Sequence, residues 1–168
     1  KPAIRRVATV MTATLLFVAA LAVPLRGIDD VRPELDRLVS DEDQTSRVYE
    51  TAVARLRKGM MSAEALAGLV ESTIIPELQK AEARLRALDK VPFEHRPLVS
   101  AAGTYLRLRN DSWHLRAEGL RQMTMVKLQI STVTLRKAES TERAALEALQ
   151  EIRVFTDPAH QSDQPQPR

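Results

Sequence analysis

Asp111-Ser112-Trp113-His114, with Glu118 four residues beyond the histidine, is the densest group of potentially reactive side chains in this 168-residue sequence. At helical spacing the two carboxylates and the imidazole share one face. Helical bundles hold metal ions with such a set, a carboxylate three residues before a histidine. A di-metal centre needs that pair on two helices and carboxylates from two more. Glu139-Ser140-Thr141-Glu142 supplies carboxylates but no imidazole, His95 lies in a proline-flanked segment, and His160 lies near the C-terminal end. The expected role of the Asp111/His114/Glu118 face is therefore a surface ion-pair ladder. Trp113 is expected to anchor a core or an interface. The sequence has no Gly-x-Ser-x-Gly, no Ser-x-x-Lys and no glycine-rich phosphate loop. It has no cysteine either, which removes thiolate catalysis, disulfides, iron–sulfur clusters and cysteine-type zinc sites. We expect no catalytic, cofactor-binding or metal-binding residue, and a chain that is not an enzyme by itself.

Charge narrows the partners. There are 25 Lys plus Arg against 22 Asp plus Glu. Lys1, Arg5 and Arg6 account for the whole excess, and from residue 7 onward the two signs are equal. Nucleic-acid binding needs a concentrated basic face. The arginines at 107, 109, 116 and 121 could form one, but Asp111 and Glu118 interleave with them, and a solvated helix face is expected. No nucleic-acid partner is expected.

The elements that would position these residues begin with a membrane segment. Val7 to Leu25 is a run of nineteen residues without a charge, about the length that crosses a bilayer core as one helix. Residues 1–26 are read as an anchor. Ala20-Leu21-Ala22 also fits a signal-peptide cleavage site, and an opening residue Lys1 rather than Met leaves room for a last span of several. Lys1, Arg5 and Arg6 on one flank, against Arg26, Asp29 and Asp30 on the other, favour an N-terminus inside. The expected location is the cell membrane, with a single span and an extracytoplasmic helical domain.

Residues 27–155 read as an all-α domain, an antiparallel bundle of three to four long helices. Asp29-Asp30 can cap a first helix with Pro33 in its opening turn. Val31, Leu35, Leu38, Val48, Tyr49, Ala52 and Leu56 recur at three- and four-residue steps. Asp41-Glu42-Asp43 interrupts this stripe and is expected to be a solvated bulge or a break. Lys58-Gly59 is a stop signal, and Ser62-Ala63-Glu64 restarts a helix in which Pro76 predicts a kink near residues 72–76. Lys90 to Pro97 ends it. A third helix from about Pro97 carries the face Leu98, Ala101, Ala102, Tyr105, Leu108, Ser112, Leu115 and Gly119, where glycine and alanine permit close approach of a neighbour. Its seven-residue series 98, 105, 112, 119, 126, 133 gives way to a second, 138, 145, 152, offset by two residues. That offset is about 160° around a helix. Either the chain turns between about Arg121 and Leu135, or one long helix meets two partners. The apolar residues of Met123 to Leu135 point around most of a helix, so either a turn buries both faces or a second chain or the membrane partner covers them. Residues 156–168, rich in Pro and Gln, read as a disordered tail.

The segment from Tyr105 to Arg121, Tyr-Leu-Arg-Leu-Arg-Asn-Asp-Ser-Trp-His-Leu-Arg-Ala-Glu-Gly-Leu-Arg, resembles a helix in the soluble extensions that follow the membrane core of some bacterial rhomboid-type intramembrane proteases. Ile74-Ile75-Pro76 is similar as well. The resemblance covers about a third of the chain. It implies a last span with a non-catalytic extension, because the Gly-x-Ser-Gly context of that family's nucleophile does not occur here. It also implies a cytoplasmic C-terminus, against the orientation read from charge.

These readings lead to a membrane-tethered, non-catalytic helical interaction or scaffolding domain, held through residues 7–25 and meeting a protein partner or a second copy of itself. The alternatives are the last span and soluble helical extension of a larger membrane enzyme, and a helical-bundle sensor. Sensors of that kind commonly return through the membrane, and no second apolar run follows residue 26.

Overall fold

Leu35, Leu38 and Ala52 lie on one buried stripe of the first helix, α1 (Arg32–Arg57), and Glu42 is buried in phase with them. The computed structural model describes residues 30–123 and 128–157. The Asp30 carboxylate accepts the backbone N–H of Arg32 at 3.0 Å, and a proline sits in the first turn. At the other end Gly59 takes φ 70°, a conformation that costs a side-chain-bearing residue about 1 kcal/mol or more. This lets its N–H reach Leu56 O at 2.9 Å and the Met60 N–H reach Arg55 O at 2.9 Å, so the last carbonyls of α1 are satisfied within a tight reversal. Ser62 then caps the next helix, its hydroxyl accepting from Ala65 N–H at 3.0 Å.

The second helix, α2, spans 63–86 in two α segments, Ala63–Leu69 and Ile75–Arg86, joined by a π turn at Val70–Ile74. Pro76 lies in the first turn after this π segment. A proline inside a helix lacks an N–H and collides with the preceding turn. The wider π turn, in which Ile75 N–H bonds to Val70 O, absorbs that mismatch. The predicted disturbance over 72–76 is therefore present, as a π turn. Leu88 to Pro92 and a short 3₁₀ turn, Phe93–His95, lead into α3 (Arg96–Arg121), which again has a proline in its first turn. The fourth helix, α4, is Leu128–Thr156. Of the two alternatives for 97–154, the two-helix one holds. Among the described residues there is no strand.

The helices alternate in direction. Glu34 near the start of α1 meets Arg84 near the end of α2 at 2.7 Å. Arg32, Phe155 near the end of α4 and His95 at the head of α3 meet at one end, with 4.9 Å from the Arg32 guanidinium to the Phe155 ring and 5.3 Å between the edge-on Phe155 and His95 rings. At the opposite end Arg121 of α3 reaches Glu64 and Glu71 of α2. The order is up-down-up-down. The core is filled by Val31 just before α1 and Leu35 from α1, Leu66, Val70 and Ile74 from α2, Tyr105 and Trp113 from α3, and Leu149 and Ile152 from α4.

The α3–α4 seam accounts for the two apolar series. The Ser131 hydroxyl donates to Gly119 O at 2.8 Å and the Ser112 hydroxyl to Ala138 O at 3.0 Å. Seven residues back along one helix match seven forward along the other. The series 98, 105, 112, 119 thus faces 131, 138, 145, 152, and the offset is the register of a hairpin. The expected close approach at Gly119 is present. A Cβ built there would lie 2.7 Å from Leu135 Cδ2 and 2.8 Å from its Cγ.

Three expectations need correction. The Asp41-Glu42-Asp43 cluster neither breaks nor bulges α1, which runs through it with Glu42 only 4% exposed, because each acid has a partner across the bundle. The turn after α3 does not bury both faces of 123–135. Met123, Leu128 (57% exposed), Ile130 and Val133 (66%) remain at the surface, because the hairpin register turns Ser131 rather than Val133 inward. The buried face of α3 is also wider than the predicted one: Ala102, Tyr105, Ser112 and Gly119 are buried as expected, Leu106, Arg109, Trp113 and Ala117 are buried beside them, and Leu108 and Leu115 are only half-buried. The membrane run 7–25 and the tail residues 158–168 lie outside the described residues. Among the described residues no helix is long and apolar enough to cross a membrane.

Candidate functional site

Three successive residues of α1 point about 100° apart around the helix, and here each meets a different helix. Asp41 accepts from Arg84 Nη2 of α2 at 2.7 Å, Glu42 meets Arg109 of α3, and Asp43 accepts from Arg153 Nη2 of α4 at 2.6 Å. The middle contact crosses the diagonal of the bundle and is the chemical centre of the molecule.

Glu42 Oε2 accepts from the Tyr105 hydroxyl at 2.5 Å and from Arg109 Nε at 2.9 Å. Its Oε1 accepts from Arg109 Nη2 at 2.7 Å and from the Ser46 hydroxyl at 2.8 Å. A carboxylate has about four lone-pair positions, and all four are taken. Arg109, 1% exposed, gives its third bond, from Nη1, to Glu142 Oε1 of α4 at 2.5 Å, and Arg116 donates to the other oxygen of Glu142. Two cations face two anions. The Arg109 guanidinium lies 4.3 Å over the Trp113 ring, which meets Tyr49 edge-on at 4.9 Å, and Arg116 covers Tyr49 at 5.0 Å. The Trp113 indole N–H has no acceptor among the described residues.

Burial, reinforced by the negative Glu42, pushes the Tyr105 phenol well above its ordinary pKa. Burial alone would lower the Arg109 pKa, but the Glu42 and Glu142 carboxylates together outweigh it and raise it. Tyr105 is therefore a fixed proton donor and Arg109 a fixed cation, and neither exchanges a proton near neutral pH. The gap beside Glu42 and Tyr105, toward Leu78 and Ala81, is only about 10 Å³, no more than one water needs. A cleft of about 110 Å³ lies between α1 and the π turn, lined by Asp41, Thr45, Val48, Thr73 and Glu77, below the range for organic ligands. The larger hollows, over Glu139 to Gln150 of α4 and over Asp89 to Arg96, are open surface. Glu42 itself has no free lone pair and no adjoining space for a ligand, and Glu142 accepts one bond at each oxygen, from Arg109 and Arg116, so the chemistry of the cluster is to pair helices.

The sequence-predicted chemical face is elsewhere. Asp111, His114 and Glu118 are exposed along α3, and Glu118 accepts from Gln122 Nε2 at 2.9 Å. Among the described residues no three His, Asp or Glu side chains stand together as a metal site. The arginines expected on one solvated face divide. Arg107 and Arg121 are exposed, Arg116 is half-buried, and Arg109 is enclosed because Glu42 and Glu142 compensate its charge. Trp113 is a core anchor, as one of its two expected roles had it. The signal for the buried pair was phase. Glu42 falls seven after Leu35 and four after Leu38, and Arg109 four after Tyr105, so two opposite charges sit in core stripes. Neither a protein-family model, nor a curated protein, nor a solved structure matches this chain.

Proposed function

We propose that this chain is a membrane-tethered, non-catalytic interaction domain, held by residues 7–25 and associating through the tip of the α3–α4 hairpin. The carrying observation is the set of exposed apolar side chains at that tip, Met123, Leu128, Ile130 and Val133, on a bundle whose buried carboxylate, Glu42, is saturated. Apolar groups gathered at one end of a small domain mark an association surface. The rim carries both signs, Arg121 with Glu64 and Glu71, which suits a self-complementary contact with a second copy. In the full chain, solubilised in mild detergent, sedimentation should give an assembly that Leu128→Glu dissociates without loss of helicity. Monomers at every concentration in the wild type would refute self-association.

The resemblance of residues 105–121 to a rhomboid-type extension supports a second reading, in which the domain is the soluble extension of a larger membrane enzyme. The tip would then dock on that enzyme, and the wild-type bundle would be a monomer when cut from it.

A further inference from the structure

Phe93 is 80% exposed, more than any other large apolar side chain among the described residues. It does not lie at the hairpin tip. It heads the short turn between α2 and α3, at the end of the bundle where α1 begins. That placement follows from the Arg32–Phe155–His95 contacts, since His95 belongs to the same turn as Phe93. The turn is firmly built. Pro92 is extended (φ −52°, ψ 143°), its carbonyl accepts the His95 N–H at 3.0 Å, and the Arg96 guanidinium lies 5.6 Å over the Phe93 ring. The aromatic ring is held outward, with a cation at its base.

The chain leads from this end toward the uncharged run. Only five residue steps separate Leu25 from Asp30, a reach of about 18 Å. If residues 7–25 span a bilayer, the end carrying Phe93 lies against that bilayer. The hairpin tip lies about 39 Å away, the length of the 26-residue α1. An exposed ring backed by a guanidinium has the amphipathic form that sits at the boundary of headgroups and acyl chains. The loop's own charges, Asp89, Lys90, Glu94 and Arg96, balance, so attraction to anionic lipid is not its driving force.

We infer that the 89–96 loop rests on the phospholipid surface next to the span, with Phe93 inserted below the headgroups of zwitterionic lipid. This rests on the tether reading of residues 7–25. The contact fixes the bundle upright, with its association tip directed away from the membrane.

The test uses the full chain reconstituted in phosphatidylcholine vesicles, some with brominated acyl chains. Phe93→Trp places a probe in the loop, Met60→Trp places one in the turn at the opposite end, and wild type, whose Trp113 is buried, gives the baseline. Phe93→Trp should shift its emission to the blue and lose at least half of the added fluorescence to the bromines. Met60→Trp should do neither. Protein that floats with the vesicles while the Phe93→Trp probe stays unquenched overturns the loop contact and leaves the tether intact. Protein that fails to float overturns the tether and the loop contact with it. Equal quenching at both positions overturns the upright placement.

Discussion

Arg109→Met separates the buried hub from an ordinary helix-surface arginine. Methionine keeps most of the aliphatic stem but removes two hydrogen bonds to Glu42 and one to Glu142. Glu42 keeps only Tyr105 and Ser46 as donors while remaining 4% exposed. Removing one partner of a buried pair costs about 3–5 kcal/mol, because the other charge stays desolvated. A domain of this size has about 5–15 kcal/mol in total, so the variant should fold but be markedly weaker. Replacing Glu42, Tyr105 and Arg109 together by Leu, Phe and Met removes charge and donors at once and should restore most of the loss, as apolar substitution of buried ion pairs often does. The assay is guanidinium unfolding of the full chain in mild detergent, followed by circular dichroism, with Arg107→Met as the exposed control at about 0.5 kcal/mol or less. If Arg109→Met costs under about 1 kcal/mol, the range of a solvated ion pair, the buried hub does not exist as described.

Tyr105 adds a pH dependence. Its folded pKa lies above the ordinary value of 10.0, so its contribution is fully present below pH 10 and falls as pH rises beyond it, by about 1.4 kcal/mol per pH unit; in Tyr105→Phe that alkaline component should be missing from the stability profile. Gly119→Ala should destabilise by about 1–3 kcal/mol, because the new methyl meets Leu135 at 2.7 Å, and Leu135→Ala in the same chain should relieve the clash in thermal melts. Ser62→Ala should cost about 1 kcal/mol through loss of the cap to Ala65, with no change in oligomeric mass. Leu128→Glu should change stability by about 0.5 kcal/mol or less while altering association, since the side chain is more than half exposed.

Much of the bundle was legible because its signals are local. Gly59, Ser62 and the prolines at 33, 76 and 97 act through backbone conformation within a few residues, and they mark helix ends and the π turn. The seven-residue series on α3 and α4 was legible too, as was its offset. What the offset meant was not, because a turn and a long helix with two partners leave the same pattern. The choice depends on Ser131 and Gly119 meeting across the hairpin, a non-local contact. Glu42 and Arg109 were hidden for a related reason. A charge within a stripe reads as an interruption until its partner is found 67 positions away on another helix. The apolar residues 123–135 were read as needing cover from the bundle, a second chain or the membrane partner, and the hairpin register leaves Leu128, Ile130 and Val133 outside the bundle.

Under the proposed function the hairpin tip is the contact between copies of a membrane-held bundle. Because the chain has no cysteine, single cysteines report contacts without background. Full-length chain carrying Val133→Cys, oxidised mildly in membranes, should form a disulfide-linked dimer, while Arg107→Cys, exposed midway along α3, should stay monomeric. No dimer from Val133→Cys, or equal cross-linking at both positions, would contradict the account.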